Sequence, residues 1–278
     1  MDEHIVIFKN EKTGDLIHSV NSIKEIVSKY PNKKINIFLS HYNVEMKFLF
    51  NNKNVKIHTI TEKIIFKDRI KIFNFFLTTK ISKAFIFKPS SFLFLLPLFF
   101  KPKKIKFYGI CVNKKNYQRP SIFLRKFLYR YVINDRESKN IRKSIHELHL
   151  DLVLKKDNSN YNMATLNKKF MSNFNVKNYF LLHFNKLKFN KLSWDLKDFF
   201  ILVDGLKDFN KNIVITNDIN DYETNELIKQ KYIDNNTQKI FYLPNVKGEF
   251  FFNIIGNADL VIAFHGMITS IGAIQNTK

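Results

Sequence analysis

The stretch IVIFKNEKTGDLIHSVNSIKEIVSKYPNKKINIFLS, residues 5–40, decides the fold class. Ile5–Phe8 is a short unbroken apolar run, as in a strand buried on both faces. From Asp15 to Lys29 the residues Leu16, Val20, Ile23, Ile26 and Val27 recur at helical spacing. Pro31 and Asn32 break that helix, and INIFLS (35–40) is a second apolar run. Strand, helix and strand in this order read as one parallel unit. Between the first strand and the helix stand Gly14 and Asp15. A glycine permits a tight turn there. An aspartate there either caps the helix or serves as a base.

The pattern repeats along the chain. VKIHTI (55–60), KAFIF (83–87) and KIKFYGI (104–110) read as further strands, and SSFLFLLPLFF (90–100) as a buried helix with Pro97 near its end. Eleven residues are too few to span a bilayer, which takes about 20; an interfacial membrane contact is the other reading of this stretch. Residues 119–150 read as a basic helix carrying Arg119, Arg125, Lys126, Arg130, Arg136, Arg142 and Lys143. It is either a solvated surface or a face for phosphates or an anionic membrane.

Residues 155–165 are polar and break the alternation, so the boundary is placed between an N-terminal domain, 1–157, and a C-terminal one, 158–278. A second series then begins: strands at 178–184, 212–216, 239–243 and 259–264, helices at 194–208, 221–232 and 247–256, and a helix start at 266–274. The expected fold is α/β, with two Rossmann-like domains facing across a cleft and ligands at the carboxyl ends of the strands.

Composition narrows the classes. The chain has 278 residues, 45% of them hydrophobic, which is globular rather than disordered. Its one cysteine, Cys111, excludes an internal disulfide and a cysteine-cluster zinc site. The net charge of +22 favours anionic partners, although the lysines are scattered and Lys, Asn, Ile and Phe are enriched together. The basic residues are not interleaved with aromatics in a nucleic-acid module, so no nucleic-acid partner is expected, and a basic nucleic-acid-binding protein is the weakest alternative. The start MDEHIVIF lacks the positive residues of a signal peptide.

Several segments can carry chemistry. FHGMITSIGAI (264–274) follows a strand and opens a helix, either as an ordinary cap or as an anion site made by His265, Gly266 and the first-turn amides, with Thr269 and Ser270 adding hydroxyls. HFNKLKFNKLSW (183–194) places Asn185, Lys186, Lys188 and Lys191 after another strand. In TNDINDYE (216–223), Asp221 or Glu223 either caps the next helix or accepts from ribose hydroxyls. Neither a GxGxxG nor a P-loop is present, and no metal motif stands out.

Taken in order, these pieces resemble glycosyltransferase family 9, the lipopolysaccharide heptosyltransferases. The resemblance rests on the opening strand–Gly14–Asp15–helix, on AFIFKPSSFLFLLPLFFKPKKIKFYGI, NYFLLHFN and IVITNDINDYE, and on ADLVIAFHGMITSIGAI. It implies a GT-B fold and inverting, metal-independent transfer from a nucleotide sugar to a lipid-linked glycan acceptor, with no cofactor. It also implies a cytoplasmic bacterial enzyme at the inner face of the inner membrane, with peripheral contact to an anionic bilayer. By the same resemblance Asp15 is the general base. His265, Gly266, Met267, Thr269 and Ser270 line the donor diphosphate. Gly14, Asn185, Lys191 and Asp221 lie near the donor, and Lys88 and Ser90 face the acceptor. The chain departs from the family pattern at Phe264, where many members carry Asp, at Thr269 and Ser270, where a His often stands, and at Leu192, the usual place of a Lys. It also ends soon after the diphosphate loop, so the second domain is expected to be incomplete. These departures carry a second reading, a homologue that binds nucleotide or glycan without transfer.

Overall fold

The computed structural model of the chain describes residues 3–114, 117–135, 144–154, 174–217, 222–235, 239–264 and 266–278. The chain divides into two compact units, Met1–Met163 and Ala164–Lys278. The expected boundary at 157/158 lies outside the described residues.

Unit one is built on β1 (His4–Lys9), β2 (Lys34–Ser40), β3 (Val55–Ile60), β4 (Ile81–Ile86), β5 (Lys106–Lys114), β6 (Tyr117–Arg119) and β7 (Arg130–Asp135). Between and after them come α1 (Thr13–Ile17), α2 (Val20–Lys29), α3 (Phe66–Thr78), α4 (Leu96–Phe99), α5 (Ile122–Arg125) and α6 (Ile145–Leu154). The strands β3-β2-β1-β4-β5 run parallel in that order, and β7 joins β5 in parallel. Val112 and Asn113 pair with both β6 and β7, so those strands lie on opposite edges of β5; the short antiparallel β6 continues the edge on which β4 ends. The main path, β3-β2-β1-β4-β5-β7, is the doubly wound order, and its direction reverses between β1 and β4.

Both faces of this sheet are covered, which is why its inner strands read as continuous apolar runs. Val6 and Phe8 of β1 pack with Ile72 and Phe76 of α3, with Leu93, Phe94 and Leu96, and with Leu128. Side chains alternate along a strand, so Ile5 and Ile7 point the other way, toward the face that α2 and α6 cover. Cys111 belongs to the first of these cores, and burial pushes its thiol up to about 11.

Three helix expectations are corrected. The helix read over 15–29 is two helices, because Ser19 turns both its amide and its hydroxyl onto the Leu16 carbonyl at 2.8 Å and ends α1. Residues 90–100 form a 3₁₀ turn (Leu93–Leu95) and the four-residue α4, with Pro97 in the first turn, where its missing N–H is tolerated. Residues 119–150 hold one helical turn (α5), the strand β7 and the start of α6, not one basic helix. In RYVIND the alternation of half-buried and exposed positions is that of a strand, and Arg125 is buried, donating from Nε to Pro120 O and from Nη2 to Asn113 Oδ1. Arg136, Arg142 and Lys143 lie outside the described residues. The sequence reading did not find α3.

Unit two contains β8 (Tyr179–Phe184), β9 (Asn212–Asn217), β10 (Ile240–Leu243) and β11 (Leu260–Ile262), all parallel, in the order β10-β9-β8-β11. Its helices are α7 (Lys186–Lys191), α8 (Leu196–Leu206), α9 (Tyr222–Lys229), α10 (Gly248–Asn257) and α11 (Met267–Gln275). Here strands and helices fall close to where the periodicity puts them. α8 starts on a capping box: Asp195 Oδ1 accepts from the amides of Lys197 and Asp198, and Asp198 Oδ2 accepts from Asp195 N. Phe199 and Val203 of α8 and Ile228 of α9 pack on Leu182, Ile213 and Ile215.

At Gly109 in β5 the absent side chain matters. A Cβ there would stand 2.8 Å from Phe94 Cε1 and 3.4 Å from Leu128 Cδ1, both buried. Gly109→Ala is expected to lower the unfolding free energy by about 1–3 kcal/mol in urea titrations, through overpacking of that core.

Candidate functional site

In a doubly wound sheet the crevice opens beyond the carboxyl ends of the two strands flanking the reversal. In unit one these are β1 and β4. A cleft of about 250 Å³ opens there, lined by Lys9, Glu11 and Asp15 from the end of β1 and by Phe87, Lys88 and Pro89 from the end of β4. Arg119 and Asn134 line it too.

The loop after β1 is held from three neighbouring strand ends. Beyond β2, Asn43 Nδ2 donates to Lys9 O at 2.9 Å, Ser40 Oγ to Glu11 O at 2.5 Å, and Thr13 Oγ1 donates back to Tyr42 O at 2.9 Å. Beyond β3, the Thr61 and Glu62 carbonyls each accept from Asn10 Nδ2 at 3.0 Å. Beyond β4, Lys88 Nζ donates to Glu62 O at 2.9 Å and to Asn10 O at 3.4 Å. Lys9 is buried and ion-paired with Glu11. Burial pulls the pKa of Lys88 below its ordinary value; the Glu11, Glu62 and Asp15 carboxylates oppose that, and Lys9 adds to it.

This anchored loop carries Asp15 into the first turn of α1. The N-cap of α1 is Lys12, so Asp15 does not cap it. The Asp15 side chain is exposed at the cleft and, among the described residues, has no hydrogen-bond or ion-pair partner. The turn is not made by Gly14, which lies inside α1; among the described glycines only Gly248 has a left-handed backbone. Residues 10–12 make the turn, fixed by the bonds above. Of the two residues read as facing an acceptor, Lys88 lines the cleft and Ser90 does not.

In unit two the reversal lies between β8 and β11, paired through Leu182 and Ile262. Asn185 follows β8, and Phe264 and Gly266 follow β11, so both segments leave the sheet at the same point. Gly266 is the N-cap of α11. Thr269 Oγ1 accepts from Gly266 N at 3.0 Å and donates to Gly266 O at 2.9 Å, and Ser270 Oγ donates to the same carbonyl at 3.0 Å. The hydroxyls read as phosphate donors thus hold the loop itself. Amides of the first helical turn have no intrahelical acceptor, which is the general reason a helix start favours an anion. Lys191 ends α7 and is exposed, while Lys186 pairs with Glu223 at 3.7 Å. His265 and Asp221 lie outside the described residues.

Sequence reasoning missed Lys9, Glu11 and Asn10. Their signal was faint: three polar residues directly after an apolar strand.

No protein-family model matches the chain, and no curated protein matches it. Solved structures do. Heptosyltransferase WaaC from E. coli, solved with ADP, is 12% identical, with a TM-score of 0.63 over 99% of this chain and 85% of that one. A glycosyltransferase of family 9 from Veillonella parvula is 12% identical, with a TM-score of 0.66 over 99% of this chain and 78% of that one. The chain has the GT-B fold. That fold is shared more widely: UDP-GlcNAc 2-epimerase from Methanocaldococcus jannaschii is 13% identical, with a TM-score of 0.56 over 100% of this chain and 82% of that one. Among the described residues no helix is long and apolar enough to cross a membrane, and no three His, Cys, Asp or Glu side chains gather as a metal site requires.

The ion pair lining the cleft can be tested by itself. Lys9→Met removes the ion-pair partner of the half-buried Glu11 and is expected to lower the unfolding free energy by about 1–3 kcal/mol; adding Glu11→Gln should restore part of the loss in the same urea titration.

Proposed function

We propose that the protein is an inverting glycosyltransferase of the family 9 kind. It moves a sugar, heptose or a similar one, from a nucleotide sugar to a lipopolysaccharide core or another surface glycan. The observation that carries this reading is Asp15: a carboxylate at the switch-point cleft of unit one, without a partner among the described residues, in the helical turn that follows a loop fixed from three sides. Neighbours of the same fold support it, WaaC among them, solved with ADP and with ADP-2-deoxy-2-fluoro heptose.

In this mechanism the acceptor hydroxyl gives its proton to the Asp15 carboxylate as its oxygen attacks the anomeric carbon. The bond from that carbon to the diphosphate breaks on the opposite face, its electron pair leaves with the nucleoside diphosphate, and the configuration inverts. Asp15 then returns its proton to solvent. The leaving diphosphate gathers negative charge, which in this reading is taken up by amides of the first turn of α11, by His265, Gly266, Met267, Thr269 and Ser270 and by Lys191, without a metal. Asn185 and Asp221 hold the donor, with Asp221 on its ribose. Lys88, held by the Asn10 and Glu62 carbonyls and ion-paired with the Glu62 carboxylate at 3.9 Å, faces the acceptor from the end of β4 in this reading. The acceptor is lipid-linked and the reaction runs at the inner face of the membrane.

A second reading is nucleotide binding without transfer. It draws on Phe264 and on the Thr269 and Ser270 hydroxyls, closed onto Gly266.

One variant separates the two. Asp15→Asn is expected to slow ADP release from ADP-heptose in the presence of core oligosaccharide by about 10²–10⁴. Its affinity for ADP, measured by calorimetry, should stay within about twofold. Turnover that Asp15→Asn leaves unchanged would remove Asp15 as the base.

A further inference from the structure

Two histidines of α6 are buried and face the same atom. His146 and His149 stand three residues apart on one side of the helix and are 5% and 0% exposed. Each brings its Nδ1 to the carbonyl oxygen of His18, at 3.1 and 3.2 Å. A carbonyl only accepts, so both rings carry a proton on Nδ1 and both donate to that oxygen. Burial holds the pKa of His149 well below the ordinary imidazole range, and the Lys9 ammonium adds to this, so the ring stays neutral. Among the described residues neither Nε2 has a hydrogen-bond partner, although both are buried. Two buried acceptors thus go unmet so that one carbonyl is met twice. Packing alone does not call for that, since apolar side chains would fill the volume with no orphaned nitrogen.

The carbonyl lies at a place that needs holding. His18 is the C-cap of α1, the five-residue helix that carries Asp15. The last carbonyls of a helix have no donor within it, and a helix this short does not hold itself. Its leading end is fixed by the bonds to residues 9–13. Its trailing end is met from α6, which packs on α2, β5 and β7. α6 also belongs to the wall of the cleft: Ile145 lines it, and the His149 ring centroid lies 5.0 Å from that of Phe87, another lining residue. Neither histidine lines the cleft itself. We propose that His146 and His149 are positioning residues, which clamp the trailing end of α1 and so fix the direction of the Asp15 carboxylate, three residues before His18. This role rests on the reading of Asp15 as the base.

The test compares two substitutions at each histidine in the full chain. Asparagine keeps a donor on the γ carbon, where histidine has Nδ1; leucine removes it. His146→Leu/His149→Leu is expected to lower kcat for sugar transfer by about 10–100-fold, with ADP affinity within about twofold of wild type. His146→Asn/His149→Asn should recover most of that kcat. Hydrogen exchange reads the clamp without turnover. The Leu16 amide, bonded to Lys12 O at 3.1 Å, should exchange about tenfold or more faster in the leucine variant and near the wild-type rate in the asparagine one. The single leucine variants should shift both readouts in the same direction by less, so the outcome does not hang on the double variant folding. Leu16 exchange that the leucine variants leave unchanged overturns the proposal. A lowered melting temperature with kcat intact, or asparagine variants no better than leucine ones, would assign the pair to packing and overturn it as well. A wild type that transfers no sugar contradicts the reading of Asp15 instead, and Leu16 exchange then decides the clamp by itself.

Discussion

The backbone leaving β1 is buried at Lys9 and Asn10, at the reversal of the sheet, where water does not reach it. Its carbonyls are met by Asn43 and Ser40 from the end of β2 and by Lys88 from the end of β4, and the loop's own Asn10 side chain donates to the Thr61 and Glu62 carbonyls beyond β3. That constraint holds the candidate site together. It fixes residues 9–13, and so the first turn of α1, and leaves Asp15 as the side chain of that turn turned to the cleft without a partner among the described residues. The position of this carboxylate is set through the backbone, by hydrogen bonds to the loop before it, rather than by a bond to the carboxylate itself.

The parts of the fold that were legible in the sequence share a physical cause. A strand buried on both faces must be apolar without interruption, so IVIF, INIFLS, NYFLLHF and NIVIT announced themselves, and unit two was read almost element by element. Failures came where one signal covered another. α3, FKDRIKIFNFFLT, is apolar on its inner and its outer side, so no amphipathic period stands out. β7 alternates properly, but its arginine and its basic surroundings read as a solvated helix. The stretch over 90–100 was read as a helix from its hydrophobicity, although its proline and bulky rings allow only short turns.

The site was legible in part for a similar reason. Local pattern left Asp15 open between a helix cap and a base, and only the resemblance made it the base; Lys12 at the N-cap removes the capping use. The residues that hold the loop could not be found by local pattern. Asn10 and Glu62 are 52 positions apart, and Lys9 and Asn43 are 34 apart. Only the parallel order of the strands brings them together. In unit two the expectation of hydroxyl donors at Thr269 and Ser270 met a local competitor, the carbonyl of Gly266, which short hydroxyl side chains reach more easily than any ligand.

The account stands on unit two holding a nucleoside diphosphate at the start of α11. The most direct measurement is a metal-free thermal-shift titration of the full chain with ADP, UDP, GDP and CMP. A ligand that binds only the native state raises its melting temperature, by an amount that grows with the logarithm of its concentration above the Kd. The account expects a concentration-dependent rise with one of the three diphosphates, ADP, UDP or GDP, which would also identify the base of the donor, and none with CMP. A cooperatively melting sample that responds to none of them would contradict it.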